Sequence, residues 1–292
     1  MTTTSPEQSA RLWYALEAES DAAAREAVEY ALMEAGALGT ETGEVEHGLL
    51  RVTAYFDQVP DRERVRAELA EAFRIYQLAS SSVSEMTVRE VADHDWIGEW
   101  KKSWQPVEVG ERFIIAPPWA EISDAHNRIV IRIEPGMAFG TGTHETTRLC
   151  LAAIEKYFAG GSFLDVGTGT GILAIAAAKL FPDAHVEACD TDGEAVAIAR
   201  DNARLNGVAE RITFRRGTVE ETTASADFVG ANLTADVIAA MLPSLVSIAC
   251  GHLLLSGILA TQIEAVKARS QECGGSPPCE IMQDGEWVAI IN

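Results

Sequence analysis

From about Gly160 onward, five short apolar runs recur between segments of helical periodicity: SFLDVG, HVEACD, ITFRRG, DFVGANL and HLLLSG. Runs so uniformly apolar leave neither face for water. They predict strands of a parallel sheet covered by helices on both sides. The chain closes with CEIMQDGEWVAIIN, two strand-like runs around Asp284-Gly285, a hairpin signal. The expectation is an α/β fold whose mostly parallel, Rossmann-like sheet ends in an antiparallel C-terminal strand.

The first ninety residues are patterned differently. LWYALEAES alternates loosely, as a strand does, and DAAAREAVEYALMEAG follows with strong helix formers. Asp21 is placed to cap that helix and Gly36 to stop it. GLLRVTAYF is rich in β-branched and aromatic residues and predicts a strand. Val65, Leu69 and Phe73 recur every four residues, which predicts a helix over Asp61 to Phe73. RIYQLASSSVSEMTVREV adds one or two strands. The order is that of a small α+β, ferredoxin-like domain.

Between the two regions lies DHDWIGEWKKSWQPVEVG. Trp96, Trp100 and Trp104 form one aromatic stripe if this segment is helical. FIIAPPW and RIVIRIEPG then read as strands flanking a loop. The division is therefore 1–92 for a first domain, 93–110 for a linker and 111–292 for a second domain.

The chemistry centres on FLDVGTGTGILAIAAAKL. A strand from Phe163 to Val166 breaks into Gly167, Gly169 and Gly171, and a wholly apolar helix begins at about Ile172. Glycines there let backbone N–H groups approach a ligand beside a helix N-terminus. A dinucleotide fingerprint would read G-x-G-x-x-G, but Ile172 stands where its third glycine belongs. Asp165, just before the turn, suits a cation better than a diphosphate. D-x-G-x-G-x-G resembles the loop of class I methyltransferases, which bind S-adenosylmethionine. Asp190 stands about 20 residues past the loop, at the end of the second strand, where an acid can accept both ribose hydroxyls. Asp192 is placed to cap the helix that Asn206-Gly207 ends.

Asn232 falls at the carboxyl edge of the fourth strand, in Asn-Leu-Thr-Ala. No aromatic residue follows to stack on a base, so flipped adenine is not the expected substrate. Upstream, EPGMAFGTGTHETTRLCL is glycine-rich, then polar, then helical, in the manner of a lid. Thr143, Thr146 or Thr147 could cap its helix. His144 reads as a capping or surface histidine, and Glu145 as a complement to the helix dipole.

These segments, with CDTDGEAVAIARDNARLNGV, ANLTADVI and LLLSGILATQ, resemble in order and spacing the bacterial methyltransferase family of ribosomal protein L11. The departures are small: Glu134 where the glycine-rich stretch often starts with Asp, and Glu145 where Pro is common. The resemblance implies a class I methyltransferase domain behind a substrate-recognition domain. It implies contacts to S-adenosylmethionine from Thr147, Gly167, Asp190 and Asn232. It also implies methylation of lysine side chains and of the N-terminal α-amine of a large-subunit ribosomal protein, with Asn232 a candidate for orienting the amine. Three alternatives stay open on the residues alone. One is a lysine methyltransferase for another protein. A second is a nicotinamide-dependent oxidoreductase, against which the glycine spacing and Asp165 both count. The third is a non-catalytic module that binds a ribosomal protein, against which the intact cofactor constellation counts.

Composition narrows the partners. The 292 residues carry a net charge of −21, a field that repels nucleic acid and attracts a basic protein. No segment offers the ~18 uninterrupted apolar residues of a membrane span. The N-terminus lacks a signal-peptide pattern. The five cysteines suit neither a disulfide framework nor a zinc site. The expectation is a cytoplasmic, monomeric enzyme that uses no metal.

Overall fold

A computed structural model describes residues 13–44, 49–76, 78–79, 82–91, 104–134, 142, 144–219 and 224–292. These residues fall into two compact units, and the chain passes from one to the other between Val91 and Trp104. Trp96, Trp100 and most of the glycine-rich 135–143 stretch lie outside the described residues, so the aromatic stripe and the lid do too.

The first unit runs β1 (Trp13–Asp21), α1 (Arg25–Glu34), β2 (Gly39–Glu44), β3 (Leu49–Phe56), α2 (Arg62–Ile75) and β4 (Val83–Val91). Its antiparallel sheet has the order β2-β3-β1-β4, the expected ferredoxin-like arrangement. Alternate residues of β1 and β3 (Leu16, Ala18, Val52, Ala54 and Phe56) meet Val28 and Leu32 of α1 and Val65, Leu69 and Phe73 of α2 in one core. Two local expectations need correction. The helix after β1 begins as a 3-10 turn at Ala22–Ala24, and Asp21 makes no side-chain capping bond. The stretch GTETGE forms β2, which periodicity missed because glycine and glutamate favour strands poorly. Among the described residues RIYQLASSSVSEMTVREV holds one strand, within the one or two expected, and its first two residues complete α2. Asp61 does cap α2, accepting from the N–H groups of Glu63 and Arg64.

The second unit opens with a small sheet of β5 (Val107–Val109), β6 (Phe113–Ala116) and β7 (Ile129–Arg132). β5 lies inside the segment read as a linker. There follow α3 (Glu145–Tyr157), β8 (Ser162–Val166), α4 (Ile172–Leu180), β9 (His185–Asp190), α5 (Gly193–Leu205), β10 (Ile212–Arg216), β11 (Ala226–Asn232), α6 (Ala235–Ile248), β12 (Ala249–Leu259), α7 (Ile263–Glu272), β13 (Glu280–Asp284) and β14 (Trp287–Ile291). The large sheet has the order β10-β9-β8-β11-β12-β14-β13. The first five strands in that list pair in parallel. The chain then closes with an antiparallel C-terminal strand pair, as the hairpin signal predicts, and the hairpin's two-residue loop is Gly285-Glu286.

The strand order reverses between β8 and β11. In open sheets a ligand crevice forms at such a point, outside the carboxyl ends of the strands. α4 is anchored there by composition: Ile172 to Ala178 are all buried. Each buried Ile or Leu contributes about 1.5–3 kcal/mol, so the helix holds its N-terminus firmly behind the glycine loop.

Candidate active site

β8 delivers its chain into the loop Gly167–Gly171 at the reversal point. The loop hangs on the end of β9. The N–H groups of Gly167 and Thr168 both donate to the Cys189 carbonyl, at 2.9 and 3.0 Å. The Gly169 N–H donates to Asp190 Oδ2 at 3.0 Å. Gly167 has φ of +71°, and a Cβ there would lie 2.4 Å from Leu233 Cδ2. Gly171 caps α4 with φ of +83°, and a Cβ there would press on Ala199 at 3.0–3.2 Å. One glycine thus brings the loop against the end of β11, and the other brings α4 against α5.

Two acids stand on either side of this loop. Asp165 is 1% exposed. Its Oδ2 accepts from Thr168 Oγ1 at 2.6 Å and from the Ala174 N–H at 3.2 Å. Its Oδ1 is buried without a partner. Burial pushes its pKa up to about 6 against the opposing pull of the Thr168 and Ala174 bonds, and the charge of Asp190 adds to the rise. Asp190 is only partly buried. Its Oδ2 holds Gly169 and its Oδ1 accepts from the Asp192 N–H at 3.0 Å. A carboxylate has about four acceptor sites, so both oxygens keep capacity for hydroxyl donors.

α3 closes the site from the other side. Its N-cap is His144, whose Nδ1 accepts from the Thr146 N–H. Thr146 and Thr147 are therefore not caps, and Thr143 lies outside the described residues. The reading of His144 as a capping residue holds. Thr146 and Thr147 are instead 1% and 0% exposed, inside the first turn. Asn232, at the end of β11, donates from Nδ2 to Thr146 Oγ1 at 3.3 Å. Arg148 ties the same turn to the C-terminal hairpin through Asp284, at 2.7 and 3.0 Å. Glu145 pairs with Arg148 at 3.2 Å.

The structure thus gathers Asp165, Gly167, Asp190 and Asn232 at the carboxyl ends of neighbouring strands, with Thr147 one residue from Asn232's hydrogen-bond partner. Sequence reasoning missed Asn202 on α5 and read Asn206, the C-cap one turn later, only as the end of that helix. Asn202 is 2% exposed. It donates to the Thr170 carbonyl at 2.9 Å and accepts from the Glu134 N–H at 3.0 Å. Asn206 accepts from the Arg132 N–H and donates to the Arg132 carbonyl, at 2.9 and 2.6 Å. The available signal was a polar residue in phase with the apolar face Ala195, Ala199 and Ala203. The thiols nearby are inert: burial raises Cys150 to about 12 and Cys189 to about 11.

Three buried acceptor atoms here lack partners: Thr147 Oγ1, Asp165 Oδ1 and Asn232 Oδ1. With Asp190 they make an acceptor set for hydroxyl and ammonium donors, with carboxylate charge to face a sulfonium, and that charge opposes a diphosphate. The residues present fit S-adenosylmethionine. Sheet order, glycine loop and paired acids together define a class I, S-adenosylmethionine-dependent methyltransferase.

The chain belongs to the ribosomal protein L11 methyltransferase (PrmA) family, whose model matches residues 12–292. The ribosomal protein L11 methyltransferase of Pelotomaculum thermopropionicum is 39% identical over 247 residues, 83% of this chain and 79% of its own. That of Caldicellulosiruptor bescii is 34% identical over 305 residues, 96% of this chain and 98% of its own. A crystal structure described as a ribosomal protein L11 methylase from Lactobacillus delbrueckii subsp. bulgaricus superposes with a TM-score of 0.60. It is 29% identical and covers 64% of this chain and 97% of its own.

Proposed function

We propose that this enzyme methylates lysine side chains and the N-terminal α-amine of ribosomal protein L11. One observation carries the reading: buried acceptors without partners surround a glycine loop in a chain of this family. In this reading Thr147, Gly167, Asp190 and Asn232 hold S-adenosylmethionine, which when bound supplies an electrophilic methyl group on a sulfonium. Asp190 accepts from the ribose hydroxyls. Asp165 ties the loop with one oxygen and offers the other to positive charge. Residues 1–92 recognise the substrate, and the enzyme works as a cytoplasmic monomer. The net charge of −21 draws in a basic ribosomal protein.

The chain's work is alignment. A well-oriented bimolecular displacement gains about 7–11 kcal/mol over a free encounter. The attacking amine must be neutral, yet an exposed lysine titrates near 10.4. Desolvation in the pocket lowers that value. Asn232 and main-chain carbonyls orient the amine while water takes its proton. The deciding experiment is methyl transfer from labelled S-adenosylmethionine to purified large-subunit proteins, read by mass spectrometry. Stepwise single-methyl gains on L11 are expected. Donor binding with gains only on another protein would move the substrate, and transfer to none with donor bound would refute the proposal.

A further inference from the structure

Asn232 sits at the end of a short polar chain that gives its amide a direction. His144 caps α3 through Nδ1, which accepts from the Thr146 N–H at 3.3 Å. A capping nitrogen must carry a lone pair, so Nδ1 is an acceptor. The same Nδ1 lies 2.9 Å from Thr146 Oγ1. With Nδ1 unprotonated, two acceptors cannot face each other at this distance, so the Thr146 hydroxyl donates to Nδ1, which shares its one lone pair between that O–H and the Thr146 N–H. What remains on Thr146 Oγ1 is a lone pair, and that lone pair takes the Asn232 Nδ2–H. Asn232 Oδ1 is then left facing away from Thr146, buried and without a partner.

Neighbouring contacts hold this chain in place. The His144 ring meets Trp287 edge-on, with centroids 5.2 Å apart. The Thr146 carbonyl accepts from Ser256 Oγ at 3.4 Å. Both Trp287 and Ser256 belong to the C-terminal half of the large sheet, so the orientation is built into the fold.

We infer that the His144–Thr146 pair fixes the polarity of the Asn232 amide, presenting its carbonyl oxygen to an amine N–H in the active site. This rests on the proposed methyl transfer. Without the pair, the amide would have no reason to prefer one flip, and an N–H in place of Oδ1 would oppose any amine donor. Thr146 and His144 are positioning residues, since neither needs to touch substrate. The amine is the ammonium of the methyl donor or the amine of the substrate, and two readouts separate them.

The test is a double-mutant cycle on Thr146→Val and Asn232→Asp. Valine keeps the shape of threonine and removes the hydroxyl. Aspartate shows an oxygen in either flip, so it does not depend on Thr146. Donor Kd is measured by calorimetry, and kcat/KM with L11 as substrate. Thr146→Ser, which keeps the hydroxyl, serves as the matched control. In the Asn232 background, Thr146→Val is expected to cost about tenfold in at least one readout. In the Asn232→Asp background it is expected to cost less than about twofold, and Thr146→Ser should stay near wild type. A purely structural threonine would cost the same in both backgrounds, and equal losses in the Asn232 and Asn232→Asp backgrounds would overturn the inference. Should Thr146→Val not fold, His144→Leu takes its place in the cycle with the same expectations. Wild type that binds donor but leaves L11 unmethylated would refute the substrate assignment separately. The cycle is then decided on donor Kd, where additive losses overturn the inference.

Discussion

Asp165→Asn should make the free protein more stable at neutral pH and a poorer binder of S-adenosylmethionine. Asp165 is 1% exposed, and burial lifts its pKa from the ordinary 3.8 to about 6. Keeping it ionised in the folded state therefore costs about 3 kcal/mol. The sign follows from linkage. The folded pKa lies above the unfolded one, so the stability contributed by protonated Asp165 is fully present below about pH 3.8. It is lost as pH rises through about 6. Asparagine has no charge to desolvate, and its Oδ1 can take both bonds that Asp165 Oδ2 takes now. At pH 7.5 the variant should gain up to about 3 kcal/mol, a rise of up to about 10 °C in Tm for a unit of this size. Near pH 4 the two proteins should melt alike. Thermal melts of the free proteins from pH 4 to 8 check this, alongside donor titrations over the same range. Wild-type donor affinity should fall as pH drops through about 6, and the variant's affinity should be weak and flat. A stability difference that does not change with pH would show that Asp165 does not titrate there. Equal donor affinity at pH 7.5 would show that its carboxylate does not face positive charge.

Other expectations follow from the same geometry. Gly167→Ala places a methyl 2.4 Å from Leu233 Cδ2 at a φ of +71°. It should cost about 1–3 kcal/mol in denaturant melts and more than about tenfold in donor Kd by calorimetry. Asp190→Asn should leave Tm nearly unchanged but weaken donor binding by about 1.5–3 kcal/mol, the range of a charge-assisted bond. Asn202→Leu strands the Thr170 carbonyl and the Glu134 N–H. It should cost about 1–3 kcal/mol for each buried group left bare, seen as a lowered Tm together with a raised donor Kd.

How much of this was legible in the sequence depends on the kind of signal. The parallel core was plain because β8, β11 and the later part of β12 are buried on both faces and α4 is apolar but for Lys179 in its last turn. The glycine loop, Asp165, Asp190 and Asn232 could be placed because each stands at a strand end, where the backbone itself fixes position. Features set by long-range contact could not be read. The β2 strand GTETGE exists because β3 pairs with it, against its own propensity. The α3 cap fell to His144 rather than a threonine, because Thr146 and Thr147 turn inward toward β11 and the core. The bond between Asn206 and Arg132 spans residues 74 apart, beyond any local pattern. Locally Asn206 was legible only as the residue that ends α5.

The buried polar groups of this site divide by what they do to the free protein. Asn202 has its acceptor and donor both engaged, so it stabilises the fold, and removing it should damage folding and binding together. Thr147 Oγ1, Asp165 Oδ1 and Asn232 Oδ1 have no partner. Each such atom costs about 1–3 kcal/mol of desolvation, and selection for stability alone would have replaced them with apolar isosteres. They sit on three different elements, α3, β8 and β11, which close on one strand reversal. A cost accepted three times at one place is explained by a ligand that supplies the missing donors. Substitutions at these atoms should therefore move stability and donor affinity in opposite directions. That opposition, absent at Asn202, distinguishes groups that hold a ligand from groups that hold the fold.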